Sequence, residues 1–170
     1  MDLFNTARLC LRNLSETDAD FLISLRTDAD CARFQRWEDN SPEHIRKMID
    51  EHRADALLSD KEIRRFIICL ADGAPIGTLV LFVTPSDGCI TLGITVAPAY
   101  QRRGYAKELL LALTHTLRAH FPTLDLIALI HPDNTPSVRL FEGLGFAFDL
   151  YAESIHSLVY ILRASDPCQT

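Results

Sequence analysis

Apolar positions recur along this chain with two periods, and the switch between them divides it. Arg8-Leu9-Cys10-Leu11-Arg12 alternates polar and apolar residues, the pattern of a short strand with one wet face. Ser15, with Asp18 three residues on, reads as the N-cap of a helix running through about Leu25. Asp28 to Trp37 reads as a second short helix. Ser41-Pro42-Glu43 then supplies a cap, a proline at the first helical position and an acid in the first turn. Ile45, Met48, Ile49 and His52 line one face of the helix that follows, which is expected to end near Leu58.

Beyond this point the period shortens to two. Arg65 to Ala71 is a strand, Asp72-Gly73 a hairpin turn, and Ile76 to Val83 a second strand. Ser86-Asp87-Gly88 turns the chain again into a third strand, Cys89 to Val96, so the three should pair as an antiparallel meander. Ala106, Leu109, Leu110, Leu113 and Leu117 restore the helical period. Leu124 to Ile130 is almost wholly apolar, which predicts a strand buried on both faces. Asn134-Thr135-Pro136-Ser137 opens a last helix that Gly143 and Gly145 end, and Phe146–Tyr151 with Ile155–Leu162 make a closing hairpin. The order β-αα-α-βββ-α-β-α-ββ predicts an α+β domain: about seven strands in a mixed, mostly antiparallel central sheet, with helices on both faces.

Composition narrows the class. A chain of 170 residues, 48% hydrophobic and 24% charged, is most simply one domain spanning residues 1–170. A net charge of −6 argues against a nucleic-acid partner and permits a cationic substrate. Met1 to Asn5 lacks the basic start of a signal peptide, and no run approaches the ~18 apolar residues of a membrane span. A cytoplasmic protein without a membrane partner is expected. Cys10, Cys31, Cys69, Cys89 and Cys168 are widely spaced, mostly in apolar surroundings, and read as buried free thiols. His115 and His120 do not share a helix face, and no metal site is expected.

The chemistry concentrates between the third meander strand and the next helix. Gln101-Arg102-Arg103-Gly104-Tyr105-Ala106 places one glycine and two arginines where a helix begins. The first N–H groups of a helix have no internal partner and carry the positive end of its dipole. Gly104, without a Cβ, lets an anion approach the main chain, and the arginines add charge. By itself the hexapeptide fits a phosphate cradle or a solvated basic turn equally well. It is not a P-loop, because no second Gly followed by Lys-Ser or Lys-Thr is present.

Context favours the cradle. Asn134, Ser137, Leu140, Phe141, Gly145 and Phe146 form a second motif, an Asn-x-x-Ser segment running into a Leu-Gly-Phe ending, one helix and one apolar strand downstream. Over nearly the whole chain, these two motifs in this element order resemble the GNAT superfamily of acetyl-CoA-dependent N-acetyltransferases. The Thr-x-Arg-Leu-x-Leu-Arg opening, Arg33-Phe34-Gln35-Arg36-Trp37 and Ser41-Pro42-Glu43 are similar to the branch containing ribosomal-protein N-terminal acetyltransferases.

The resemblance implies a GNAT-like sheet splayed at a cofactor cleft and acetyl-CoA as acyl donor. It further implies a primary amine as acceptor, a protein N-terminus favoured over a small molecule, in a monomer or homodimer. Gln101, Arg102, Arg103, Gly104, Tyr105 and Ala106 would hold the pyrophosphate. Main chain at Ile94 and Val96 would pair with the pantetheine arm, and an N–H near Ile94 would polarise the thioester carbonyl. Asn134 is a cofactor contact, a helix N-cap, or both. Two positions depart from the family pattern. Thr91 stands where relatives often carry a glutamate base, and it could hold a water in a relay; Glu38 and Asp39 are either solvated loop charges or bases acting through water. Phe141 stands where many relatives carry a tyrosine acid, which leaves Ser137 as the candidate acid and Phe141 to pack on the cofactor or the core. Phe34, Arg36 and Trp37 are candidates for the acceptor-side wall, or core anchors. With both usual acid–base groups missing, a non-catalytic acyl-CoA-binding sensor or regulatory module stands as the alternative.

Overall fold

The computed structural model describes residues 2–37 and 39–166. Glu38 and Cys168, both named above, lie outside the described residues. Among the described residues, eight strands and five α-helices follow the predicted order with one addition. Asp2–Asn5 (β1) pairs antiparallel with Leu9–Asn13 (β2), matching Asn5 to Cys10, a strand too short to register as alternation. Among the described residues the sheet therefore has eight strands rather than about seven.

Its remaining strands are Ile63–Leu70 (β3), Pro75–Thr84 (β4), Cys89–Val96 (β5), Asp125–Ile130 (β6), Ala147–Ala152 (β7) and Ser157–Leu162 (β8), and the order across the sheet is β1-β2-β3-β4-β5-β6-β8-β7. Bonds from Leu70 N–H to the Ala74 carbonyl and from Val83 N–H to the Glu62 carbonyl make β3 and β4 an antiparallel hairpin. The parallel pair is β5 with β6, in register from Cys89–Asp125 to Thr91–Ile127. The chain divides into two compact units, neither continuous in sequence: residues 1–59, 64–80 and 94–105, and residues 60–63, 81–93 and 106 onward.

In the first unit, Ala19–Thr27 (α1) and Pro42–His52 (α3) cover β2 and β3. Leu22 of α1 and Ile45, Met48 and Ile49 of α3 pack with Cys10, Leu14, Ile67 and Cys69. Burying each large aliphatic side chain contributes roughly 1.5–3 kcal/mol, so the i, i+3, i+4 face of α3 is what seats it. Ser41 caps α3 by accepting from the His44 N–H at 3.2 Å. The helix stops at His52 rather than near Leu58. His52 Nδ1 meets the buried Asp55 carboxylate at 2.8 Å, and that same oxygen accepts the Arg65 N–H of β3 at 2.9 Å, drawing the chain out of helix. The second short helix shrinks to Ala29–Ala32 (α2), a single turn capped by Asp28, and Phe34 to Trp37 continue as irregular chain.

In the second unit, Tyr105–His120 (α4; its first residue belongs to the first unit) buries Leu109, Leu110, Leu113 and Leu117. Thr135–Glu142 (α5) buries Phe141, whose ring meets that of Phe146 edge-on at 5.1 Å. Strand β6 corrects the expectation of burial on both faces. Leu126, Ala128 and Ile130 are buried, but Leu129 is 39% exposed. Leu129 lies opposite Val159 of β8, which lies opposite Leu150 of the edge strand β7, 48% exposed, so this row forms an open face. Cys10, Cys31 and Cys69 are buried free thiols and Cys89 is half-buried. No helix among the described residues is long and apolar enough to cross a membrane.

Candidate functional site

The basic loop lies wholly within the first unit and is tied at each end. Strand β5 leaves the sheet at Val96, a 3-10 turn spans Pro98–Tyr100, and α4 begins at Tyr105. The Gln101 side chain folds back, its Nε2 donating to the Val96 carbonyl at 2.8 Å. That carbonyl also receives the Cys31 thiol at 3.8 Å, so both of its lone pairs are engaged. The Val96 carbonyl is thus turned to the loop and to Cys31, and only its N–H bears on the pairing expected with the pantetheine arm. Close approach at the same strand end explains Gly77 of β4. A Cβ there would sit 2.3 Å from the Thr95 carbonyl oxygen. A glycine inside a strand is a legible sign of such an approach.

Between its anchors the loop reverses its handedness residue by residue. Arg102 has φ 63° and Gly104 φ 79°, with Arg103 negative between them. A positive φ at an arginine costs energy that the surroundings must supply. Alternating signs of φ turn successive N–H groups toward one side, the geometry of an anion-binding nest. Arg103 lies over the Tyr100 ring at 5.7 Å. Sequence reasoning missed Arg8, whose Nη1 donates to the Arg103 carbonyl at 3.2 Å and whose guanidinium covers the Tyr105 ring at 4.7 Å. Together these residues make a cationic, donor-rich surface that suits a pyrophosphate.

Also in the first unit, the segment expected to face the acceptor is organised by a second residue that sequence reasoning missed. Arg26 of α1, 6% exposed, lies over the Trp37 ring at 5.0 Å and donates to Asn40 Oδ1 at 2.8 Å and to the Asp39 carbonyl at 3.0 Å. Burial, followed by the charge of Arg65, lowers its pKa, while Asp39 opposes the shift. Arg33 lies over Phe34 at 4.9 Å, and Arg36 is exposed. Trp37 is therefore anchored from inside. Asp39 Oδ1 accepts the Ser41 N–H at 2.7 Å, and this bond leads the effects that lower its pKa. Asp39 is a turn-closing carboxylate and correspondingly a weaker base.

In the second unit, Asn134 is the cap of α5. Its Oδ1 accepts the Ser137 N–H at 3.3 Å. Ser137 is half-buried in the first helical turn. Phe141, 3% exposed, belongs to the core. Thr91 is half-buried in β5, opposite Ile127.

A family model described as an acetyltransferase (GNAT) domain matches residues 8–147. The chain belongs to the GNAT acetyltransferases. Members use acetyl-CoA, and the nest-like loop with Arg102 and Arg103 fits the anionic end of that cofactor. Solved structures share the fold at low identity. An acetyltransferase (GNAT family) from Bacillus anthracis is 20% identical with a TM-score of 0.81, over 98% of this chain and 100% of that one. RimL, a ribosomal L7/L12 alpha-N-protein acetyltransferase in complex with coenzyme A, is 18% identical with a TM-score of 0.77, over 96% and 98%. Spermidine N-acetyltransferase from Vibrio cholerae, in complex with CoA and spermine, is 19% identical with a TM-score of 0.73, over 92% and 94%. No curated protein matches the chain.

Proposed function

We propose that this acetyltransferase moves the acetyl group of acetyl-CoA directly to a primary amine, a protein N-terminus being the favoured acceptor. The observation that carries the reading is the loop from Gln101 to Tyr105, an anion nest at the start of α4 in a GNAT chain. The bound cofactor supplies a thioester activated toward amines. Arg102, Arg103, the Gly104 N–H and the first turn of α4 hold its pyrophosphate. Main chain at Ile94 donates to the carbonyl oxygen as it gains charge, and the Asn134 amide steadies the arm.

The amine nitrogen bonds to the acetyl carbon as the carbon–sulfur bond breaks. One proton must leave the amine and one must reach the thiolate. Ser137 relays the second, giving its hydroxyl proton to the sulfur as it takes one from solvent, since Phe141 stands where a tyrosine acid would and has no proton to give. Thr91 can only hold a water for the first. A lysine-type amine is about 0.1% neutral at pH 7 and an α-amine roughly 10–20%, so the lack of a strong base favours an α-amine. RimL supports the same acceptor class, whereas the spermidine enzyme shows that the fold also serves polyamines.

The test is thiol release from acetyl-CoA with peptides, lysine-type amines, polyamines and aminoglycosides, each product checked by intact mass. Fastest turnover of peptide α-amines is expected, with Ser137→Ala slowing it about tenfold or more while acetyl-CoA still binds. Binding without amine-dependent release across the panel would overturn catalysis and leave the acyl-CoA-binding module.

A further inference from the structure

We infer that Arg8 is a positioning residue for the cofactor loop, aiming the Gly104 N–H at the pyrophosphate; this rests on the cofactor role proposed above. A trans peptide sets its C=O and N–H on opposite sides of one plane. The Arg103 carbonyl is drawn toward Arg8 by the 3.2 Å bond from Nη1. The N–H of the same peptide unit, that of Gly104, therefore points the other way. Gly104, at φ 79°, has no Cβ to restrict rotation of this unit, so the bond from Arg8 is what restrains it here.

One further contact fixes Arg8: its guanidinium lies on the Tyr105 ring at 4.7 Å. A planar fork that stacks and donates at once is a property of arginine that lysine lacks. Arg8 itself is exposed, so replacing it leaves the core untouched. Its partner carbonyl lies 95 residues away in sequence. Arg8 acts through the loop, and the ligand feels it only where the pyrophosphate sits.

The experiment measures calorimetric affinity for CoA, dephospho-CoA and pantetheine with the wild type, Arg8→Gln and Arg8→Lys, with thermal melting in parallel. Both variants should melt like the wild type. Both should bind CoA and dephospho-CoA about tenfold more weakly and by the same factor, with pantetheine unchanged. Steady-state kinetics should show a raised KM for acetyl-CoA and a kcat within about twofold of wild type. Unchanged CoA affinity, full rescue by lysine, or a loss confined to CoA and absent with dephospho-CoA would each overturn the inference. The last result would make Arg8 a ligand of the 3′-phosphate instead. Wild-type protein that binds none of the three ligands would remove the cofactor reading and this inference together.

Discussion

Gln101 and Val96 hold each other across the start of the basic loop: Gln101 Nε2 donates to the Val96 carbonyl at 2.8 Å. A residue that opens the proposed phosphate-binding motif thus spends its side chain on the strand it has just left. The bond fixes where β5 ends and α4 begins. Gln101→Ala should weaken acetyl-CoA binding by about threefold to tenfold, the worth of one exposed neutral hydrogen bond plus some loop freedom. Thermal stability should change little, because Gln101 is exposed. Equilibrium binding with melting in parallel checks this, and unchanged affinity would make the bond incidental.

Asp18 gives a stability signal with a definite sign. Its carboxylate is 2% exposed and accepts both Arg12 Nη atoms at 2.7 Å, the Ser15 N–H at 2.8 Å and the Ser15 hydroxyl at 2.9 Å. Burial alone would raise its pKa, but these bonds and the Arg12 charge more than reverse that, and the net shift is downward. A depressed folded pKa stabilises the fold above the unfolded value of about 3.9, and the contribution disappears as pH falls through the folded pKa. Asp18→Asn should cost roughly 2–4 kcal/mol at pH 7, the buried-pair figure discounted because Arg12 is 22% exposed. The gap to wild type should close below about pH 4. Urea unfolding at pH 7 and pH 3 measures it, and an equal gap at both would refute the assignment.

Arg26 and Trp37 provide an optical readout, since Trp37 is the chain's single tryptophan. Lysine at position 26 keeps a charge but cannot stack on the ring while donating to Asn40 and Asp39. Arg26→Lys should shift Trp37 emission to the red and raise its quenching by acrylamide. The KM for the acceptor should rise more than that for acetyl-CoA. Unaltered emission would mean that Trp37 is held without Arg26.

The chain's local signals and its long-range contacts were unequally legible. Helix starts at Ser41 and Asn134 follow from a cap with a proline one or two residues on, and the structure has both caps. The basic turn that opens α4 was readable because Gln101 to Tyr105 is one short segment. Arg8 and Arg26 were not, because each acts on a segment distant in sequence: Arg8 on Arg103, Arg26 on Trp37, Asp39 and Asn40. Apolar content misled at β6, where Leu129 belongs to an open face. A hydrophobic side chain says what it can tolerate, while coverage depends on the strands beside it. Asp39 read as a loose carboxylate because its partner is a backbone N–H two residues on, invisible to a reading by residue type.

Asn134 joins fold and function in one side chain, and substitution can separate them. Its Oδ1 caps α5 through the Ser137 N–H, whereas its amide N–H groups are the donors proposed for the cofactor arm. Asn134→Ala removes both, so it should lose about 0.5–2 kcal/mol of stability together with acetyl-CoA affinity. Asn134→Asp keeps an oxygen for the cap and adds a negative charge where the helix dipole favours one. Melting of the aspartate variant should therefore match or exceed wild type. Its acetyl-CoA affinity should nevertheless fall at least as far as that of the alanine variant, because the donors are gone and the new charge opposes an anionic ligand. If the aspartate variant binds as wild type does, Asn134 serves α5 alone, and the arm must be held by main chain.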